Sequence, residues 1–226
     1  MRQASVLDVL GPSDRAELLD RGVRRTLGRD EVIHLAGDQT TRVHVVLHGI
    51  VKLCARDING DETILGLTVP EGIVGDIGAA DDGPQPLDAI TVTECTVVGL
   101  DRFIFADVVF ANPLAARTLA REAAARTRWM IDTALERTSG EVDERIAGRL
   151  LDLARLLGRP VGTTIELELP LGQRELGKLA GVCRESACKS LRRMKRSGVV
   201  DYEGRSLRIL RPDSLRMLRC GGATEM

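Results

Sequence analysis

Aromatic side chains are scarce in this chain of 226 residues: Trp129, Tyr202, Phe103, Phe105 and Phe110 are all there are. A platform for single-stranded nucleic acid needs exposed rings on which bases stack, and so few rings argue against one. No apolar run approaches the roughly 20 residues that span a bilayer, so no membrane partner is expected. The first eleven residues include Asp8 and no long apolar stretch, so they do not read as a signal peptide. The cysteines number five, an odd count without a close pairing pattern, which suits a reducing cytoplasm better than a disulfide framework. A Gly-Lys-Ser/Thr phosphate loop, a CxxC zinc pattern and a Ser/His/Asp arrangement are also missing, so the chain does not read as an enzyme. What is present, 43% hydrophobic and 29% charged residues, supports a real core in one large domain or two small ones. The chain reads as a soluble cytoplasmic protein.

The net charge of −1 conceals an asymmetry. From Arg159 to the end there are 14 Lys and Arg against 8 Asp and Glu, a net of +6, while the first 158 residues carry −7. Positive charge gathered in one segment is the footprint of a polyanionic partner, although a merely solvated basic surface has the same composition.

From about Asp30 to Asp101 the pattern is one of short strands with a period close to 2. Val43 to His48 is followed by Gly49 and then Ile50 to Cys54, and Asn59-Gly60 is a strong hairpin signal. Thr63 to Val69, Ile73-Val74 and Ala89 to Leu100 continue it, predicting an antiparallel barrel or sandwich. The period changes after Asp101. Asn112 as cap and Pro113 at the first helical position open a long helix. Its stripe of Ala116, Leu119, Ala123, Met130 and Ala134 is rich in small residues and suits close packing against a second copy of the same helix. Ser139-Gly140 breaks this helix. Glu141 to Leu157 forms another, with Ile146, Leu150, Leu153 and Leu157 inward, and Gly158-Arg159-Pro160 ends it.

The most informative stretch is Leu171 to Met194. Leu176, Leu179 and Ala180 form the inner face of a short helix, Gly181 supplies a tight turn, and Ala187, Leu191 and Met194 face inward from a second helix. That is a helix-turn-helix, whose second helix can lie in a major groove. Its outer face carries Arg184, Glu185, Lys189, Arg192 and Arg193, with Ser186 beside them. An arginine can bind guanine O6 and N7 together, and a carboxylate can accept from cytosine N4. Arg184 and Glu185 therefore suit base edges, and Lys189, Arg192 or Arg193 suit bases or phosphates. Val199 to Tyr202, a turn at Glu203-Gly204 and Ser206 to Leu210 read as a hairpin placed like the wing of a winged helix.

With these residues in view the chain resembles the bacterial transcription regulators typified by the cyclic-AMP receptor protein and the fumarate-nitrate reduction regulator, the CRP/FNR family. In the β region the resemblance rests on Asp30 to Ile33, Gly37-Asp38, His48 to Leu53, Gly60 and Pro70 to Asp76. In the C-terminal region it rests on Glu175-Leu176-Gly177, Gly181, Arg184-Glu185 and Lys189. It implies an α+β architecture: an antiparallel β-roll sensor over 1–111, a dimerisation helix over 112–139 and a winged helix-turn-helix over 140–226. It implies a homodimer on a palindromic operator in double-stranded DNA, with RNA polymerase as a further partner if the protein activates. Arg184, Glu185 and Lys189 match the base-reading positions, Arg192 a further basic position, and Gln173 and Arg174 the positions that touch backbone phosphate. Gly172 departs from the usual capping threonine.

The resemblance also locates an effector pocket, and there the residues are wrong for cyclic AMP. Gly75-Asp76 stands where a Gly-Glu pair holds the ribose. Gln85-Pro86, followed by Leu87, stands where an Arg-Ser pair holds the phosphate, and Met130-Ile131 stands at the adenine. The stretch from Asp81 to Asp88 has no basic residue and three aspartates, which repel phosphate. An effector-independent regulator with no cofactor is the reading; a cyclic-nucleotide-, haem- or thiol-gated regulator is the alternative. An iron–sulfur cluster does not fit a chain with no cysteine before Cys54. His34, His44, His48, Cys54 and Cys95 are the nominal haem ligands, but His44 and His48, on one strand face, lie about 13 Å apart at 3.3 Å per residue, too far to share a metal. Cys183, at the start of the second helix beside Arg184, is the candidate thiol switch. A cupin-like β-barrel metalloenzyme is the alternative of a different class; the His44–His48 interval and the lack of a following glutamate count against it.

Overall fold

The computed structural model describes residues 5–221. The first four residues of the stretch read for a signal peptide, and the outer domain limits 1 and 226, lie outside the described residues. Contacts divide the chain into one unit ending at Arg128 and another starting at Trp129.

The first unit opens with α1 (Val6–Val9), capped by Ser5, and α2 (Pro12–Asp20). Then come β1 (Val23–Leu27), β2 (Val32–His34), β3 (Arg42–His48), β4 (Val51–Arg56), β5 (Glu62–Thr68) and β6 (Ile73–Val74). After α3 (Asp76–Asp81) follow β7 (Asp88–Thr91), β8 (Cys95–Asp101) and α4 (Arg102–Ala111). The strands form two four-stranded antiparallel sheets, in the orders β1-β8-β3-β6 and β2-β7-β4-β5. The expected single strand from Ala89 to Leu100 is thus two strands in different sheets, broken at Val92 to Glu94.

The period-2 expectation fails at the centre of the first sheet. On β3, Val43 and Val45 join a cluster with Leu7, Leu18, Phe105 and Val109, while Val46 joins Leu53, Val74 and Ala89 between the sheets. Both faces of β3 are covered, so it is buried from Val43 to Val46 without alternation. A register shift against β8 between Val46 and His48 further breaks the alternation, leaving His44 buried and His48 exposed rather than on one face. The turn at Asn59-Gly60 is also not a two-residue turn. Asp57 Oδ1 accepts from the backbone of Asn59 and Asp61 at 2.9 Å, and only Gly60 has positive φ.

The long helix α5 (Pro113–Ser139) starts as expected, with Asn112 Oδ1 accepting from the Leu114 and Ala115 amides at 3.0 and 3.1 Å. The stripe of small residues is displaced from its expected position. Leu119 is buried in the core of the first unit and Ala116, Ala123 and Met130 are half-buried; of the expected set only Ala134 is exposed. The exposed line runs instead through Ala120, Ala124, Thr127, Ile131, Ala134 and Thr138.

In the second unit the end of α5 is followed, after Gly140, by α6 (Val142–Leu157), which buries Ile146, Leu150 and Leu153 and half-buries Leu157. Arg149 is 1% exposed and lies 4.9 Å from the Trp129 ring centroid. Glu136 and Asp152 neutralise it at 2.6 and 3.3 Å, and Trp129 Nε1 donates to Asp152 at 2.8 Å. Arg159-Pro160, expected only to end the helix, instead belongs to β9 (Arg159–Val161), followed by β10 (Thr164–Glu168). Next are α7 (Gln173–Ala180), α8 (Arg184–Arg196), β11 (Val200–Glu203), β12 (Ser206–Ile209) and α9 (Pro212–Arg219). The four strands make one antiparallel sheet in the order β11-β12-β10-β9.

Candidate nucleic-acid interface and regulatory cavity

The helix-turn-helix is built as its periodicity requires. Leu176, Leu179 and Ala180 of α7 and Ala187, Leu191 and Met194 of α8 are all buried. Gly181 sits between them at φ 65°, where a side chain would be strained, and an added Cβ would lie 2.6 Å from Arg137 Nε. Gly172 lacks a capping side chain, yet the start of α7 is not bare. Glu175 Oε2 reaches back to the Gly172 amide at 2.8 Å, the half of a capping box that does not need threonine.

With that face buried, the opposite face of α8 is exposed. It carries Arg184, Glu185, Lys189 and Arg192, with Ser186 half-buried. Among the described residues Arg184 and Arg192, and Arg174 at the start of α7, form no ion pair. Glu185 and Lys189 pair with each other at 2.8 Å across one helical turn. The hydrogen bond and charge of Lys189 hold the Glu185 carboxyl below its ordinary pKa and raise that of Lys189 in turn. Such an exposed pair opens easily to other partners. Gln173 is exposed, and its Oε1 accepts from the half-buried Cys188 thiol at 2.9 Å, which leaves the amide NH2 to donate outward.

Arg193 behaves differently. Its Nε and Nη2 donate to Asp143 Oδ2 and Oδ1 at 2.9 and 2.6 Å, a two-bond pairing that Arg192 does not make. Cys183 is the exposed N-cap residue of α8, with its Sγ 3.2 Å from Ser186 Oγ. That contact, and then the Ser186 and Glu185 amides of the helix start, lower its thiol pKa, against the charge of Glu185.

The wing is the hairpin β11–β12, paired from Val200↔Ile209 to Glu203↔Ser206. Its two-residue turn is therefore Gly204-Arg205, one position later than expected, with Gly204 at φ 58°. This exposes Arg205 at the tip, a basic residue that the sequence reading did not single out.

In the first unit a small cavity is lined by His34, Leu53, Gly75, Asp76, Ile77, Gln85, Pro86, Leu87 and Arg126. The five positions from Gly75 to Leu87 that were expected there do come together. Met130 and Ile131 are not among the lining residues; on α5 the lining ends at Arg126, Met130 is half-buried and Ile131 is 54% exposed. The three aspartates expected to repel phosphate do not line it either. Asp81 holds the Gly83 amide, Asp82 pairs with Arg102, and Asp88 accepts from the Ala36 amide and lies 3.3 Å from Arg56.

Nor is the cavity without a cation, because Arg126 enters it from 50 residues away in sequence. Its guanidinium forks onto the buried Asp76 carboxylate, with Nη1 3.1 Å from Oδ1 and Nη2 on Oδ2. Gln85 is 4% exposed and its Nε2 donates to Thr40 Oγ1 at 2.9 Å. His34 Nδ1 and His44 Nδ1 are buried without a partner, and burial lowers the pKa of both, His44 to about 4. The volume open to the centre of a water molecule is about 20 Å³. That is room for one water molecule.

Comparison with known proteins agrees with this division. The profile of the cyclic nucleotide-binding domain matches residues 24–112, and that of the Crp-like helix-turn-helix domain matches residues 144–218. The CRP-like cAMP-activated global transcriptional regulator of Mycobacterium tuberculosis is 27% identical over 219 residues, 97% of each chain. Among solved structures, FixK2 from Bradyrhizobium japonicum superposes with a TM-score of 0.77 at 22% identity over 91% of this chain and 99% of its own. A CooA mutant from Carboxydothermus hydrogenoformans does so at 0.80 and 16% identity over 97% of both.

Proposed function

Because the chain belongs to the CRP/FNR family of transcription regulators, we propose that it acts in the cytoplasm as a homodimer on a palindromic DNA operator, without cyclic AMP. The observation that carries the DNA contacts is the α8 surface: one face buried in the domain, the other presenting unpaired Arg184 and Arg192 and the exchangeable Glu185–Lys189 pair. Arg184 and Glu185 read base edges, Lys189 adds a base or phosphate contact, and Arg192, Arg174, Gln173 and Ser186 hold the backbone. Arg205 extends the same cationic surface to the wing.

The exposed line on α5 supports the dimer. Ala120, Ala124, Thr127, Ile131, Ala134 and Thr138 recur at intervals of four and three, the seam that two helices share in a coiled coil, and its small residues allow close approach. A two-fold dimer places its two recognition helices one turn of DNA apart, which requires an operator with dyad symmetry. On this reading 112–139 is the dimerisation segment between the sensor and the DNA-binding domain.

Independence from cyclic AMP is supported by the cavity. The one cation there is neutralised by Asp76, Gln85 is committed to Thr40, and the free volume is that of a water molecule rather than a nucleotide. The test is to select duplexes from a randomised pool with the purified protein, then measure affinity by fluorescence anisotropy with and without cyclic AMP. Palindromic selected sites bound equally well in both conditions are expected. A requirement for cyclic AMP overturns the effector-independent reading, and recovery of no preferred sequence overturns the operator reading.

A further inference from the structure

Two adjacent arginines on α8, alike in sequence, have different surroundings. Both are exposed; among the described residues Arg192 forms no ion pair, while Arg193 is forked onto Asp143, the second residue of α6. We propose that Arg193 is a positioning residue, and that its fork to Asp143 fixes the roll of α8 about its own axis and so the aim of Arg184, Glu185 and Lys189. This rests on the DNA-binding reading above and adds to it a residue that touches no DNA.

The packing of α8 explains why such a restraint is needed. Its buried face consists of Ala187, Ser190, Leu191 and Met194. Alanine and serine offer little relief, and a methionine thioether adapts to many positions, so this face resists separation better than it resists rotation. At the roughly 5–6 Å side-chain radius of a helix, a roll of about 20° carries a side-chain tip about 2 Å. A bidentate contact with guanine does not survive that displacement. Two parallel N–H···O bonds to one carboxylate, in contrast, define both a distance and a plane.

The partner is suitably fixed. Asp143 lies in the first turn of α6, where a carboxylate is favoured by the unpaired amides of the helix start. Burial pushes its pKa up, but the hydrogen bonds of Arg193 and Ser190 and the charge of Arg193 together hold it below the ordinary carboxylate range. From the same end of α6, Arg145 Nη1 donates to the Gly181 carbonyl at 3.3 Å, and Arg137 of α5 packs against Gly181. The turn before the recognition helix and its α6 flank are thus both attached, beside the contacts of Cys188 with Gln173 and of Lys195 with Asp201 and the Tyr202 carbonyl. Of these, the two-bond fork to Asp143 is the contact that defines a plane as well as a distance.

The alternative role for Arg193, a phosphate contact, makes the opposite prediction for its partner. If Arg193 binds phosphate, Asp143 competes with the DNA, and Asp143→Asn strengthens binding. If the fork positions α8, Asp143→Asn weakens it.

The experiment compares the wild-type protein with Asp143→Asn, Arg193→Lys, Arg193→Met and the charge-exchanged double variant Asp143→Arg/Arg193→Asp. Each is titrated by anisotropy, over a series of salt concentrations, against a duplex selected by the wild-type protein and a scrambled duplex of equal length, with melting temperatures recorded alongside. Asp143→Asn and Arg193→Met are expected to weaken selected-duplex binding by roughly tenfold. Scrambled-duplex affinity and the salt slope should stay near wild type, with Arg193→Lys intermediate and the exchanged pair recovering most of the loss. Tighter binding by Asp143→Asn, a salt slope reduced by about one in Arg193→Met, or no recovery in a folded exchanged pair overturns the proposal. A wild-type protein that binds neither duplex instead overturns the DNA-binding reading beneath it.

Discussion

Arg126 of the long helix forks onto Asp76, the first residue of α3 in the β-roll, where the carboxylate is almost fully buried and the guanidinium is about three-quarters buried. Breaking a buried pair leaves an uncompensated charge, whereas replacing both partners by apolar groups removes the charge altogether. Arg126→Met should therefore cost about 3 kcal/mol in urea unfolding, and Asp76→Leu/Arg126→Met should recover most of it. Cyclic AMP should restore nothing to the single variant. A single variant as stable as the wild type would show that the pair contributes nothing to the fold.

His44 gives the fold a pH dependence whose sign can be worked out. Burial holds its pKa near 4, with the charges of His34, Arg25 and Arg42 acting in the same direction, against about 6.5 in an unfolded chain. Between these values the unfolded state binds more protons, so this contribution to stability is complete above about pH 6.5 and is lost as the pH falls towards 4. The loss is on the order of 3 kcal/mol at 1.36 kcal/mol per unit. His34, whose pKa is also lowered by burial, adds a smaller loss in the same direction. Unfolding free energies measured between pH 7 and 4 should fall in the wild type and fall less in His44→Gln. Equal slopes in the two proteins would assign the acid sensitivity elsewhere.

How much of this was legible in the sequence depended on the range of the physics involved. The helix-turn-helix follows from local spacing: Leu176, Leu179, Ala187 and Leu191 fall on the helical period, and Gly181 marks the break. The caps at Asn112 and the break at Gly140 are equally local. Strand β3 lies where its residues predict it, but its alternation fails because that depends on what covers the second face, and here helices cover one face and the other sheet the opposite one. Helix α3 is six residues long and leaves almost no periodic signal. The cavity cation was missed because Arg126 and Asp76 are 50 residues apart. Nothing in Arg192-Arg193 as a dipeptide says which of the two pairs with Asp143 of α6.

Arg184 and Arg192 should fail in different ways. Arg184→Ala should lose about 1–3 kcal/mol at the selected operator and relax preference at one base pair, with little change on random DNA. Arg192→Ala should weaken all duplexes alike and reduce the slope of log affinity against log salt by about 0.9, the signature of one phosphate contact. Equal losses on selected and random DNA for Arg184→Ala would remove it from the base-reading set.

The seam on α5 offers the sharpest test of the dimer, because its residues lie on the exposed side of the helix. Ile131 is 54% exposed. Ala124 is exposed on the same line. In a single chain, Ile131→Glu therefore exchanges one solvated side chain for another and should leave the far-ultraviolet spectrum and thermal unfolding at low concentration almost unchanged. In a coiled-coil pair the same change places two carboxylates opposite each other at a packed position, where like charges and lost apolar contact act together. Sedimentation should then show a monomer where the wild type is a dimer. Affinity for a palindromic duplex should drop to that for a single half-site, since the two recognition helices no longer bind as one unit. A variant that sediments as a dimer and keeps full operator affinity would place the subunit interface on some other surface.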